Sequence, residues 1–548
     1  MSESKNSDIL FSKSTFGFLF SLSLLLTEFH DILPYVISSK HGRILTVMDS
    51  KTYYARLLPE EEQNFFHYMP TINDLVSFAG NHFSDDIALD GIAGPITYRA
   101  LIDTLSGLRG FLKENGINPG DKVGIQLPNS ALAAELILSV MTYGAVIVPF
   151  PMTMNGEELL SNLRKMDISI FIYADMLSGQ ISTLALPSSL KAIPSSKVVP
   201  SAPEAESKVE KGTPAAIFFT GGTTGKSKGA LLSHGALMRG AFNGVFAPPS
   251  ALRQRYLALI PFSHVFGVVR NLLTCFYTGS LLYTLEDMRT VVAVLPKAKP
   301  TLLVLVPALA DMLAGLAKVR GLDALGGQLK CVIAGGAPVP EGIIRRYQEL
   351  GIICCPGYGM TETANLVSGN GDPFDYPTSV GMPYPEQQVK IVDDEIWVKG
   401  DHLMIGYYND PEETAHIFTE DGWLKTGDLG RIDENGLLYI TGRSKNIIVL
   451  PNGENISPEE IELALVRIPF IKDALVREAV VDGRTLLEAE VFPNGPVLAA
   501  MQISDPEPVI RSSVEKLNAS MPPYKAIQNL IIRDKDFPRS PSMKIIRS

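Results

Sequence analysis

From about Met69 the apolar positions fall into two alternating periods. Ile72 to Phe83 and Leu101 to Asn115 carry apolar residues at helical spacing, and Leu132 to Tyr143 predicts a third helix feeding a strand from Ala145 to Pro149. Asn118-Pro119-Gly120-Asp121 has the residues of a turn, and Lys122 to Leu127 after it reads as a strand. Ala215 to Phe219 is an apolar run suited to a buried strand, Leu302 to Val306 is followed by a helix from Ala308 to Lys318, and Cys331 to Ala334 is a further strand. Strands alternating with helices imply parallel sheet covered by helices, an α/β architecture. The Pro- and Ser-rich stretch from Ser188 to Pro203 reads as a surface linker.

The pattern changes near Val389. Short strands such as Val389 to Val392 and Glu395 to Val398, with turns at Asp421-Gly422 and Glu434-Asn435-Gly436, predict antiparallel structure, a small barrel-like part. After Gly442-Arg443 a small α+β unit follows. Its first helix carries a capping-box pattern, with Ser457 as N-cap, Pro458 in the first turn and Glu460 three residues on, and Ile461, Leu465 and Ile468 form its apolar face. These changes divide the chain into an N-terminal extension (1–66), a large domain (67–444) and a small domain (445–548).

Length agrees with that division, since 548 residues exceed what one core organises. A net charge of −11 argues against a general nucleic-acid binder, which needs a basic surface. The four cysteines cannot build a disulfide framework for this chain, and neither they nor the eight histidines have the spacing of a zinc site, so a reducing, cytoplasmic setting is expected. Phe16 to Leu26 is strongly apolar, yet as a helix it spans only about 16 Å. That is short of a bilayer core. A membrane-surface helix giving peripheral membrane contact, a packed extra helix and a mis-called start are the readings for it, and it supplies no chemistry.

The strand Ala215 to Phe219 runs into Thr220, Gly221, Gly222, Thr223, Thr224, Gly225, Lys226, Ser227 and Lys228. Glycines let backbone N–H groups converge on a phosphate, hydroxyls add donors, and lysine adds a mobile charge. The P-loop pattern needs a glycine where Thr220 stands, so this is a different loop. It resembles the phosphate-binding signature of the adenylate-forming (AMP-binding) superfamily, closest to acyl-CoA synthetases and fatty acid–CoA ligases. Gly221 replaces the usual serine and Ser227 the usual proline.

Five further segments match that family in order. Ile260 to Gly267 resembles the segment whose histidine gates thiol entry, which makes His264 the gate and puts Val265 and Val268 against the acyl group. Gly335-Gly336-Ala337-Pro338 resembles the turn lying flat on adenine. Gly357-Tyr358-Gly359-Met360-Thr361-Glu362 implies adenine stacking by Tyr358, an α-phosphate donor in Thr361 and a magnesium ligand in Glu362. Lys425-Thr426-Gly427-Asp428 implies ribose binding by Asp428, with Arg443 near the ribose and Lys445 as the hinge of a mobile small domain. Phe537 to Ile545 resembles the C-terminal segment whose lysine, here Lys544, bridges the substrate carboxylate and the α-phosphate. Each alone is an ordinary loop or tail, but six in order are not chance.

The resemblance implies attack of a carboxylate on the α-phosphorus of Mg·ATP, giving acyl-adenylate and pyrophosphate, then attack by a thiol that releases AMP. The turn containing Gly453 would line the thiol tunnel. No acidic residue occurs between Pro261 and Val269, which argues against an α-amino acid and leaves a fatty or other apolar acid as the expectation. The sequence ends four residues past Lys544, so no fused carrier domain is expected. Coenzyme A is the first choice of acceptor, the phosphopantetheine of a separate carrier protein the second, and a non-catalytic nucleotide-binding homologue the last reading.

Overall fold

The computed structural model describes residues 49–220, 228–449, 454–481, 484–539 and 545–547. Two large sheets organise the chain. One runs, edge to edge, Gly406–Tyr407, Lys228–Ser233, Pro214–Thr220, Val146–Pro149, Lys122–Gln126, Ile168–Tyr173 and Lys191–Pro194. The other runs Met382–Pro383, Ser368–Gly369, Ile353–Tyr358, Cys331–Ala334, Leu302–Leu305, Arg255–Leu257, Leu281–Tyr283, Ile87–Asp90 and Ile96–Thr97. Their central strands are parallel, as strand–helix alternation requires, and antiparallel pairs occur only towards the edges.

Side-chain alternation along these strands sets the layering. Leu302 and Val304 enter a central core with Val123, Ile125 and Ile147, while Leu303 and Leu305 face an outer core with the helices Val291–Ala298, Pro307–Arg320 and Glu341–Glu349. Val146 and Val148 face a third core with the helix Gly156–Lys165. The central core draws on both sheets, and the helix Ala131–Thr142 lies inside it. That helix reads ALAAELILSVMT, apolar on nearly every face, which suits burial between two sheets.

Helix and strand positions agree with the sequence reading to within a few residues, and Ile72–Phe83 and Cys331–Ala334 have the expected bounds. Ser188 to Pro203 is not wholly a linker: Lys191–Pro194 pairs in parallel with Ile168–Tyr173 as an edge strand. An edge position tolerates Pro194, because no second neighbouring strand needs its missing N–H. The helix Ser50–Ala55 docks on the large domain: Tyr54 is buried, its hydroxyl donates to the carbonyls of Gly369 (3.0 Å) and Met382, and its ring stacks on Tyr384 at 4.4 Å. Glu62, also buried, accepts from the Ala251 N–H at 2.7 Å. Phe16 to Leu26 lies outside the described residues. No helix among the described residues is long and apolar enough to cross a membrane.

The antiparallel part is a four-stranded sheet ordered Gln388–Val392, Glu395–Lys399, Leu424–Ile432 and Leu438–Arg443. Its outer strand meets the nine-stranded sheet, because Leu438 bridges Gly381. The small domain packs Pro458–Val466 and Glu507–Ser520 on a sheet of Ile471–Val481, Arg484–Pro493 and Asn529–Ile532 around Ile461, Leu465, Val476, Leu487 and Ile510. Ser457 is the N-cap and Pro458 the first residue of its helix, but the capping box does not form. The Ser457 hydroxyl donates instead to the Thr441 carbonyl (2.7 Å), and Glu460 pairs with Lys525 (2.7 Å). Ser457 therefore ties the small domain to the last strand of the large one.

Candidate active site

Thr220 and Lys228 face each other across an antiparallel hairpin. Gly221, Gly222, Thr223, Thr224 and Gly225 lie outside the described residues, as do Gly453 and Lys544. Lys228 is tightly engaged: its ammonium pairs with Glu413 at 2.6 Å and lies 5.1 Å from the Tyr407 ring centroid. Tyr407 reaches this position because Gly406–Tyr407 adds an edge strand beside Lys228–Ser233. Its hydroxyl donates to Glu362 Oε1 at 2.7 Å.

Glu362 is buried, and burial pushes its carboxyl above the ordinary carboxylate range while the Tyr407 hydrogen bond pulls it back. Thr361 and Glu362 belong to one helical turn at the end of Ile353–Tyr358. Tyr358, the last residue of that strand, donates to Asp428 Oδ2 at 2.8 Å. Asp428 Oδ1 receives Arg443 Nε at 2.8 Å, a pairing set by the ladder, where Asp428 and Arg443 are register partners. The carboxylate is 3% exposed, whereas the Arg443 side chain is 44% exposed and opens the cluster to solvent. The Asp428 N–H bonds Thr426 Oγ1 (3.1 Å), which fixes the backbone carrying the carboxylate. Lys445 follows in an exposed turn. Burial of part of its side chain and the Arg443 charge lower its ammonium, while Asp428 and Glu362 raise it.

Gly335, Gly336, Ala337 and Pro338 leave the C-terminal end of Cys331–Ala334, the parallel neighbour of the strand ending at Tyr358. Such strand ends, where helices turn away, form the crevices in which α/β proteins bind ligands. Gly336 has φ +80°, a left-handed conformation, and stands exposed beside half-buried Ala337. A Cβ on Gly335 would lie 3.4 Å from the Gly357 carbonyl and 3.6 Å from Phe266 Cζ, so the histidine segment meets both turns there. Gly359 is pressed on the Asn365 carbonyl, 1.6 Å from where a Cβ would sit.

His264 is half-buried, and its Nδ1 accepts the Phe266 N–H at 3.1 Å, which places the proton of the neutral ring on Nε2. The segment is held by Asn129, a residue the sequence reading passed over. The Asn129 amide donates to the carbonyls of Ala258 and Ile260 (both 2.9 Å), and its Oδ1 accepts from the Phe262 N–H (2.9 Å). Val265 and Val268 are both buried in the central core. Tyr407 was also passed over, being separated by many residues from every motif. The structure thus joins Lys228, Tyr407 and Glu362 in one chain of contacts and Tyr358, Asp428 and Arg443 in another.

Lys544 is flanked by anchored residues. Arg539 and Ile545 form an antiparallel bridge, Arg539 pairs with Asp473 (2.5 Å), and Arg547 pairs with Glu462 (2.5 Å). Both partners belong to the small domain.

The model of the AMP-binding enzyme family matches residues 77–408, and that of the AMP-binding enzyme C-terminal domain matches residues 445–548. This chain belongs to the AMP-binding enzyme family. Among its relatives, 4-coumarate--CoA ligase-like 6 of Arabidopsis thaliana is 29% identical over 519 residues, covering 86% of this chain and 88% of that protein. Feruloyl-CoA synthase of an Amycolatopsis species is 28% identical over 397 residues, covering 70% and 80%. ATP-bound MatB from Rhodopseudomonas palustris shares the fold with a TM-score of 0.76 at 24% identity, covering 87% of this chain and 97% of that one. The Mycobacterium tuberculosis fatty acyl CoA synthetase has a TM-score of 0.68 at 25% identity over the same shares. The AMP-binding fold thus includes both the helix-covered sheets and the small C-terminal domain.

Proposed function

We propose that this AMP-binding enzyme joins a carboxylic acid to coenzyme A through an acyl-adenylate. The observation that carries the reading is the convergence of Tyr358, Asp428 and Arg443 at the strand ends beside the Lys228–Tyr407–Glu362 chain. Relatives named as CoA ligases support the thiol acceptor.

In this reading adenine lies on the Gly335–Pro338 turn against Tyr358. Asp428, an ionised carboxylate with several acceptor sites, accepts the ribose hydroxyls. Thr361 donates to the α-phosphate, and the 220–228 hairpin holds the other phosphates. Glu362 fits magnesium: it is a buried hard-oxygen donor with one oxygen occupied by Tyr407, and magnesium is commonly held by one or two carboxylates together with substrate phosphates. When bound, the ion would offset phosphate charge. A substrate carboxylate oxygen bonds to the α-phosphorus, the bond to the pyrophosphate oxygen breaks, and Lys544 steadies the negative charge between the two anions. The small domain then turns about Lys445, the loop containing Gly453 borders the thiol arm, and the thiol sulfur displaces AMP past His264.

The acid is not an α-amino acid, since no carboxylate stands in the His264 segment to meet an amine. That same lack of a carboxylate is what leaves a fatty or other apolar acid as the expectation, and Val265 and Val268 both pack in the central core. The test is product analysis with a panel of carboxylic acids, with and without coenzyme A. Acid-dependent AMP and pyrophosphate, with a CoA thioester only when coenzyme A is present, is expected. ADP as product, or nucleotide cleavage indifferent to acid, would contradict the reading.

A further inference from the structure

Three arginines are buried among the described residues: Arg109, Arg239 and Arg270. Two have a carboxylate in reach, Arg109 at 3.9 Å from Glu206 and Arg239 at 3.8 Å from Asp401. Arg270 is 2% exposed and makes no ion pair among the described residues. One of its terminal nitrogens donates to the Gly244 carbonyl, and its Nε has no hydrogen-bond partner among the described residues. Two amides beside this contact in sequence, Asn243 before Gly244 and Asn271 after Arg270, are also buried with neither polar atom bonded. A buried guanidinium without an anion is costly, so this arrangement wants an acceptor from elsewhere.

The surroundings say where that acceptor enters. Arg270 lies in the π-helical segment Gly267–Leu273 that follows His264, and π turns recur at functional sites. It lines a small cavity of about 20 Å³ with Tyr54, Phe246, Ile333, Gly357 and Tyr384. Gly357 directly precedes Tyr358, and Ile333 lies in the strand leading to Gly335, so the cavity sits under the strand ends that carry the candidate site. Its size suits a small polar end group, not a long chain.

We infer that the substrate is a short dicarboxylic acid: one carboxylate is activated at the strand ends, and the second is bound by Arg270 in the cavity beneath. The planar fork of a guanidinium matches a carboxylate in a way that an ammonium does not. The inference rests on the adenylation reading and names its substrate class. Arg270 acts here as a specificity-determining residue.

The test compares matched acids of equal length: propanoate with malonate, butanoate with succinate, and pentanoate with glutarate. Acid-dependent pyrophosphate release gives kcat/KM for each. In the wild-type protein the best diacid should exceed its matched monoacid by about 30-fold or more, as expected for a buried charge pair. Arg270→Met should reverse that ratio, with Arg270→Lys in between. If Arg270→Met does not fold, the wild-type comparison and Arg270→Lys still decide. Release with the monoacids at equal or greater efficiency would overturn this inference and leave adenylation standing. No release with either series would overturn both.

Discussion

At the scale of single residues the account turns on what each polar group does when buried. Asp428 holds Tyr358 and Arg443 at once, and we expect Asp428→Ala to raise the KM for ATP about tenfold to a hundredfold, the range for hydrogen bonds to a charged group. Steady-state kinetics with ATP varied checks this, and an unchanged KM would remove the ribose role. Glu362 gives a pH prediction. Burial raises its carboxyl and the Tyr407 hydroxyl lowers it, so removing that hydroxyl must raise it further. In the proposed magnesium-holding role Glu362 acts ionised, so Tyr407→Phe should move the acid limb of the pH–rate profile for pyrophosphate release to higher pH. An unmoved limb would separate Tyr407 from the chemistry. Glu362 and Asp428 stand out in the sequence because their residue types fit the proposed chemistry at family spacing. Tyr407, Asn129 and Arg270 do not, since each reaches the site through strand pairing or helix packing that no local pattern encodes.

Elements explain how those residues are aimed. The hairpin Pro214–Thr220 with Lys228–Ser233 was visible as an apolar run breaking into a Gly/Thr loop, but the edge strand Gly406–Tyr407, only two residues long, leaves no periodic signal. Likewise Ser457 satisfies every rule for an N-cap in sequence and still turns its hydroxyl to Thr441, because the adjoining strand offers a carbonyl in reach. A local pattern fixes which bonds are available, and tertiary contacts decide which of them form. The His264 segment is held by the three hydrogen bonds of Asn129. Asn129→Ala removes them and strands buried backbone groups, at a cost of about 1–3 kcal/mol each where water cannot enter. We expect a lowered melting temperature and a larger loss in thioester formation than in adenylate formation, read by assaying the two half-reactions separately. Equal losses in both would show that the clamp serves folding alone.

Across the whole molecule, the sheets and their helices were legible from periodicity, whereas the start of the large domain was not. Residues 49–66 carry no long amphipathic repeat, yet Tyr53, Tyr54 and Glu62 are buried. Tyr54→Ala should cost about 3–5 kcal/mol, the usual range for a truncated buried aromatic. Removal of residues 1–66 should destabilise the fold in denaturant melts more than removal of residues 1–48. Equal stability of the two truncations would contradict the docking described for Ser50–Ala55. Arg539 and Arg547, on either side of Lys544 in sequence, pair with Asp473 and Glu462 of the small domain, which is the basis for the proposed delivery of the lysine by that domain. Lys544→Ala should therefore nearly abolish adenylate formation while largely sparing thioester formation from supplied acyl-adenylate, measured as two separate half-reactions. Formation of an acyl-adenylate requires that a carboxylate oxygen become bonded to the α-phosphorus of ATP. Supplying an acid labelled with ¹⁸O in its carboxylate, with ATP and coenzyme A, tests it by mass spectrometry of the products. The account predicts AMP carrying one labelled oxygen and pyrophosphate carrying none; unlabelled AMP, or label in inorganic phosphate, would contradict it.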